Sequence, residues 1–256
     1  GSATYTGSEL SALVSGAWIS SAGRFFIPGR QPVGSGNAKD NSGLGNDFVL
    51  KAGFTDDVTG PWANDGWFTS KAGTTGLANL ATVAAGSFDL ATQSVILAFS
   101  FLKAAPAGNV AFVGNADAAS AQGLYLSARG AGGKIRPILN TSGGVASGLA
   151  DSSLIFCDGA RHEVMVAVDG LSKSVRLFRD GWLSDTYLSA FTGGTTPVSK
   201  FTFGSQNDAA SNTYDARFAN MQLYVFTGAL PTNLAQLAQR LAALPGRPLA
   251  PSEIVL

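Results

Sequence analysis

Residues 158 to 188 read DGARHEVMVAVDGLSKSVRLFRDGWLSDTYL, and this stretch decides the fold. Val164, Val166 and Val168 fall in one row, and Val175 and Leu177 in another, each with the period of two that a half-buried strand requires. Asp169-Gly170 and Asp180-Gly181 close the two runs at turn positions, where glycine accepts a positive φ. The pattern reads as hairpin upon hairpin. No chemistry is needed to explain it.

Working outward, the same signature recurs along the chain. Val95, Leu97, Phe99 and Phe101 share one face of a strand over Ser94 to Leu102. Further strands are expected at Phe48 to Leu50, Gly66 to Thr69, Asn109 to Gly114, Gly123 to Ala128 and Lys134 to Leu139. Others follow at His162 to Asp169, Val175 to Arg179, Phe201 to Gly204 and Met221 to Phe226. Short strands separated by Gly, Asp and Asn turns, with no helical stretches between them, indicate an antiparallel sandwich. One helix is expected near the end. Leu230, Leu234, Leu237, Leu241 and Leu244 are spaced 4, 3, 4 and 3, which places them on one stripe. Thr232 is the expected N-cap, and Pro245-Gly246 the stop. Residues 1–46 read as an irregular arm with short strands around Ala17 to Ile19 and Phe25 to Ile27. Residues 47–245 form the domain, and residues 246–256 an extended tail that packs on its own domain or on another chain.

These motifs resemble those of laminin G-like and concanavalin A-like jelly-roll domains. Asp158-Gly159, then His162, a valine-rich strand and Leu177-Phe178-Arg179-Asp180-Gly181 are similar to the family's "DG-x-WH … V-x-LY-x-DG" signature, with Arg161 in place of the Trp. Ser87-Phe88-Asp89 leading into Val95 to Phe101 resembles its early strand. Ala216 to Tyr224 followed by Leu230-Pro231 resembles its last strand and closing helix. The resemblance covers roughly residues 48 to 244 and implies an all-β antiparallel sandwich with one C-terminal α-helix. It speaks to fold far more than to function.

Composition narrows the function. Lys plus Arg and Asp plus Glu are 17 each, so the formal net charge is +0, and no basic block is present. That argues against nucleic acid and against an anionic membrane surface, both of which need concentrated cations. Low charge also removes a barrier to self-association. Cys157 is the only cysteine, which excludes an intrachain disulfide and favours a reducing compartment.

The candidate chemistry is sparse. Glu9, Glu163 and Glu253 are the only glutamates, and none falls in the E-x-D-x-x-E spacing that sets a glycanase's two carboxylates on one face. Asp56, Asp57 and Asp65 are poorly spaced to act as a pair. His162 is the sole histidine, and a hydrogen-bonding structural role outweighs that of a general base. One His and one Cys cannot build a zinc site of the usual kind. Cys157, beside Ile155 and Phe156, reads as a small buried hydrophobe rather than a nucleophile. No catalytic residue and no required cofactor is therefore expected.

Two binding possibilities remain. Asn207, Asp208, Asn212 and Asp215 share one loop and could offer oxygen ligands to calcium, although such residues are also ordinary turn formers. Trp62, Trp182, Tyr187 and Tyr214 are candidate platforms for a sugar ring, with Trp182 first because it follows a turn glycine. Two functions follow. The first is a non-enzymatic component of a large assembly, such as the head decoration or tail of a phage virion. It would be made in the bacterial cytoplasm, carried on the virion surface, and act through homo-oligomeric or other protein contacts. The second is a lectin-like module that binds glycans. The resemblance, the single cysteine and the low charge place the first slightly ahead.

Overall fold

The computed structural model describes residues 22–28, 37–50, 55–56, 68–69, 78–80, 88–114, 123–140, 146–188, 201–204 and 216–256. In chain order the strands are β1 (Gly23–Ile27), β2 (Asn37–Ala38), β3 (Phe48–Leu50), β4 (Thr55–Asp56), β5 (Phe68–Thr69), β6 (Ala78–Leu80), β7 (Gln93–Ala104) and β8 (Val110–Gly114). They continue as β9 (Gly123–Ala128), β10 (Ile135–Asn140), β11 (Ala146–Gly148), β12 (Asp158–Asp169), β13 (Ser174–Arg179), β14 (Trp182–Leu188), β15 (Thr202–Phe203) and β16 (Arg217–Thr227). Among the described residues one α-helix, α1 (Leu234–Ala243), follows.

The strands form two antiparallel sheets. The first runs β14-β13-β12-β7-β16-β5-β4, with β1 also paired to β16; the second runs β11-β10-β9-β8-β15-β6-β3-β2. Between them lies a phenylalanine-rich core that includes Phe25, Phe48, Phe99, Phe101, Phe112, Phe203 and Phe218. This is the expected antiparallel β-sandwich with a C-terminal helix.

Burial on both faces explains why the central strand β7 is continuously apolar over Val95–Phe99. Val95, Leu97, Phe99 and Phe101 face the second sheet. Ile96 and Ala98 face the other way, under a second core built with Met165, Phe178, Tyr224, Leu234, Leu237 and Leu241. A strand covered on both faces has no polar side to show. The leucine stripe of α1 supplies the cover, and Leu244 lies only half-buried at its end.

Two expectations need correction. Part of the segment read as an arm belongs to the sandwich: β1 pairs with β16 from Gly23↔Tyr224 to Ile27↔Met221, and β2 pairs with β3. Phe25 and Ile27 enter the inter-sheet core while Phe26 faces the helix side. Asp40 fixes the turn that follows, accepting backbone N–H bonds from Phe26, Ser42 and Asn46, each at 2.9 Å. The expected strand at Ala17 to Ile19 lies outside the described residues. The helix N-cap is Asn233, not Thr232, and its side chain makes no capping bond. Asn233 instead donates to the Glu253 carbonyl at 2.7 Å, because the returning tail claims it.

That tail packs on its own domain. Leu249 is buried, and its N–H donates to the Tyr224 hydroxyl at 2.7 Å, which in turn donates to Gln222 Oε1. Arg240 holds the rest, donating to Glu253 Oε1 at 2.7 Å and to the carbonyls of Arg247 and Pro248.

Candidate functional site

Two Asp-Gly pairs, Asp158-Gly159 and Asp180-Gly181, meet at His162. Its ring nitrogens lie 2.7 Å from Asp180 Oδ2 and 3.0 Å from Asp158 Oδ1, and the side chain is buried. Asp180 sits at φ 53, and its other oxygen accepts the Glu163 N–H at 2.8 Å. This is the hydrogen-bonding role expected of His162. It ties the start of β12 to the β13–β14 turn. Gly181 follows at φ +83, and a Cβ there would come within 2.9 Å of Gln239 Cα, so α1 rests directly on this turn. Cys157 is buried in the inter-sheet core, as expected.

β14 leaves this turn and immediately bulges. Arg179 pairs with Trp182 and Phe178 with Leu183, but Leu177 pairs with Asp185, so Ser184 is an extra residue. A bulge re-aims the side chains on either side of it. Without it, Trp182 would face opposite to Asp185 and Tyr187. With it, all three lie on the side of β14 that carries Val175 and Leu177 towards the second sheet. Leu183, Thr186 and Leu188 face outward.

The loop before β12 docks on this edge. Ser153 donates to Asp185 through its N–H at 2.9 Å and through its hydroxyl at 2.5 Å, and Ser184 Oγ donates to the same carboxylate. Burial alone would raise the Asp185 pKa, but these bonds outweigh it and hold the carboxyl below its ordinary value. Arg179 donates to the Ile155 carbonyl, and its Nε lies 3.5 Å from Asp180 Oδ2. Beyond this ring of polar contacts, Trp182 is 69% exposed, with Ile155 exposed in the adjoining loop. An aromatic ring facing solvent, on a strand whose backbone is fixed by a bulge and a docked loop, is a rigid platform. Beside it Arg179 carries further N–H donors.

Tyr187 differs. Its ring packs against the inter-sheet core, and its buried hydroxyl has no hydrogen-bond partner among the described residues. Burial, followed by the neighbouring Asp185 charge, raises its pKa, so the hydroxyl keeps its proton. Trp62 and Tyr214, and the calcium-ligand candidates Asn207, Asp208, Asn212 and Asp215, all lie outside the described residues. Sequence reasoning missed Arg179, Asp185, Ser153 and Ile155. Nothing in the order of residues marks Ser184 as the inserted one.

The outer face of the first sheet holds a second polar cluster beside α1. Glu163 accepts from Ser100 Oγ at 2.6 Å and pairs with Arg161 at 2.5 Å. It lines a cavity of about 10 Å³, together with Asn220, Gln222 and Pro245, which has room for a single water. Burial raises the Glu163 pKa, with the Ser100 and Arg161 contacts opposing. The folded protein therefore holds this proton where the unfolded chain has lost it. The resulting stability is full below the ordinary value of 4.5 and is lost as pH rises through the raised one. Glu163→Gln should flatten the stability profile across that window. Denaturation midpoints between pH 4 and pH 8 check this, and parallel profiles for variant and wild type would remove Glu163 as the cause.

With this geometry in view, the comparisons place the fold. The structure is similar to the binding domain of Paraclostridial Mosquitocidal Protein 1, at TM-score 0.63 and 16% identity, over 86% of this chain and 52% of that one. It is also similar to the botulinum neurotoxin serotype G binding domain, at TM-score 0.64 and 12% identity, over 87% and 51%. A sialidase of Trypanosoma rangeli, solved with the inhibitor DANA, aligns at TM-score 0.57 and 15% identity, over 85% and 32%. These TM-scores show a shared β-sandwich fold, and at identities this low they show the fold alone. The chain spans about half the length of the two toxin chains. No protein-family model matches the sequence, and no curated protein does.

Proposed function

We propose that the chain is a carbohydrate-recognition module that holds a sugar on Trp182, with Arg179 as the neighbouring donor. The observation that carries this is the exposed Trp182 ring, re-aimed by the Ser184 bulge onto the face where the Ser153–Ile155 loop docks. A pyranose presents an apolar face for stacking and hydroxyls for hydrogen bonds, and an aromatic platform rimmed by polar groups suits both. The comparisons lend support. Two of the neighbours above are described as binding domains, and the botulinum neurotoxin type C neighbour is described as entering cells through interaction with two ganglioside molecules. This moves the glycan reading ahead of the particle-component reading. The observation favouring the second is that β14 ends the first sheet among the described strands, with Leu183 and Leu188 exposed on it. Neither reading involves catalysis by this chain.

The test is a glycan array followed by titration of the best hit. Trp182→Ala should weaken binding roughly 10-fold or more, as loss of a central aromatic anchor does. Trp182→Phe should recover part of it. An array without hits, or a hit indifferent to Trp182→Ala, would overturn the assignment.

A further inference from the structure

The charges around the Trp182 turn are mostly matched within the fold. Asp185 accepts from Ser153 and Ser184. Asp180 and Asp158 lie against the two ring nitrogens of His162 and accept the Glu163 and Ala160 N–H groups, each at 2.8 Å. Arg161 pairs with Glu163. Arg179 differs. One of its N–H groups goes to the Ile155 carbonyl, and its Nε stands 3.5 Å from Asp180 Oδ2, beyond the roughly 2.9 Å of a charge-assisted hydrogen bond. Its Nη2 has no hydrogen-bond acceptor among the described residues. The side chain is 25% exposed, and the residue stands directly across the hairpin from Trp182.

Given the glycan reading, on which this step rests, we infer that the site takes a sugar bearing a carboxylate, held by Arg179 while the ring stacks on Trp182. Directly opposed residues on one face of an antiparallel pair have Cβ atoms about 5 Å apart, close to the span of a pyranose ring. A carboxylate on that ring therefore comes within reach of the guanidinium when the apolar face covers the indole. Planar guanidinium donors match the two oxygens of a carboxylate. A neutral sugar seated there would take water from these donors and offer only hydroxyl oxygens in exchange, the weaker acceptors for a cation. A phosphate ester, with up to about two negative charges, would outnumber the single guanidinium. No basic block supplies a second cation on this chain of formal net charge +0. A sulfate ester presents its oxygens as a tripod, and a planar fork meets only part of it.

Biolayer interferometry on immobilised sugar conjugates tests it. The probes are glucuronic, galacturonic and N-acetylneuraminic acid, each beside its carboxyl-reduced counterpart, in which a hydroxymethyl group replaces the carboxylate. A sulfated galactose conjugate forms the sulfate arm. At least one acid should bind the wild type about 10-fold or more tightly than its reduced form, the scale of a hydrogen bond to a charged group. Arg179→Gln should bring that ratio close to one. Arg179→Lys, which keeps the charge and loses the fork, should leave it in between. Near-UV circular dichroism confirms that each variant is folded. Equal binding of acid and reduced sugar, at a site that Trp182→Ala abolishes, overturns the inference and leaves the glycan reading standing. So does a preference for the sulfated sugar, or a preference for the acid that Arg179→Gln does not diminish. Acid and reduced sugar are compared on the unaltered protein, so that outcome does not depend on how the Arg179 variants fold. Silence from every probe also overturns the inference, and the wider glycan array then decides the glycan reading itself.

Discussion

Phe99→Ala is expected to cost about 4 kcal/mol of folding free energy, the largest single effect in this domain. Phe99 is 2% exposed at the middle of β7, the strand that both β12 and β16 pair with. Its ring centroid lies 5.6 Å from that of Phe203 and 6.4 Å from that of Phe112, both on the opposite sheet. On its own sheet it lies 6.2 Å from both Phe101 and Phe218. Removing it deletes the transfer energy of a buried ring and several edge-on aromatic contacts. It also opens a cavity that two hydrogen-bonded sheets cannot close by sliding together. In a chain of this size the loss should lower the melting temperature by roughly 8 to 16 °C. Urea unfolding followed by tryptophan fluorescence measures it. A cost near 1 kcal/mol would mean that the sheets relax over the gap, and the aromatic cluster would then be filler.

That cluster was legible in part. The alternation Val95, Leu97, Phe99, Phe101 named the inward face of β7 correctly, because a period of two maps directly onto a sheet face. The residues between them, Ile96 and Ala98, gave no sign of which element covers them. Only the leucine stripe of α1, far along the chain, does so. Among the strands of two or three residues, β3, β5 and β15 were legible through Phe48, Phe68 and Phe203, while β2, β4, β6 and β11, which hold no aromatic residue, were not. Two or three residues cannot display a period, and their pairing is set by neighbours distant in sequence. β1 was visible as Phe25-Phe26-Ile27, but its partner β16 lies some two hundred residues on, so the segment read as an arm.

The candidate site shows the same boundary between local and non-local information. Trp182 stood out because an Asp-Gly turn precedes it, and a strand that starts at a turn begins near solvent. Its alignment with Asp185 and Tyr187 depends on a single-residue bulge. That bulge is a property of the pairing between β13 and β14 and not of β14 alone. Without it the even residues of Trp182–Leu188 would share one face, and Trp182 would lie with Leu188 instead. The polar contacts from Ser153 arrive from a loop 32 residues away. No short-range signal could have assigned them.

Gly170→Ala is expected to cost about 3 kcal/mol, at the upper end of what overpacking does, and the reason corrects the sequence reading. Asp169-Gly170 looked like a turn that needs glycine for a positive φ. The left-handed residue of this turn is Lys173, at φ 56, and Gly170 is absent from the positive-φ glycines. What Gly170 provides is room. A Cβ there would lie 2.0 Å from the Gln93 carbonyl oxygen and 2.7 Å from that of Leu90. Both are backbone atoms at the entry to β7 and cannot swing aside. The Gly170 N–H also donates to Ser94 Oγ at 3.1 Å, and that hydroxyl donates to the Gly228 carbonyl at 2.5 Å. One buried serine thus joins the ends of β12 and β16 to the start of β7. Any shift that relieves the clash breaks these bonds. Gly159→Ala separates the two explanations. Gly159 has φ +87 but open space around its Cβ position, so alanine there pays only the left-handed penalty of about 1 kcal/mol. Unfolding free energies for the two variants should differ about threefold. Equal losses would show that the backbone of β7 gives way to a Cβ at Gly170, and that its close approach is not what makes glycine necessary there.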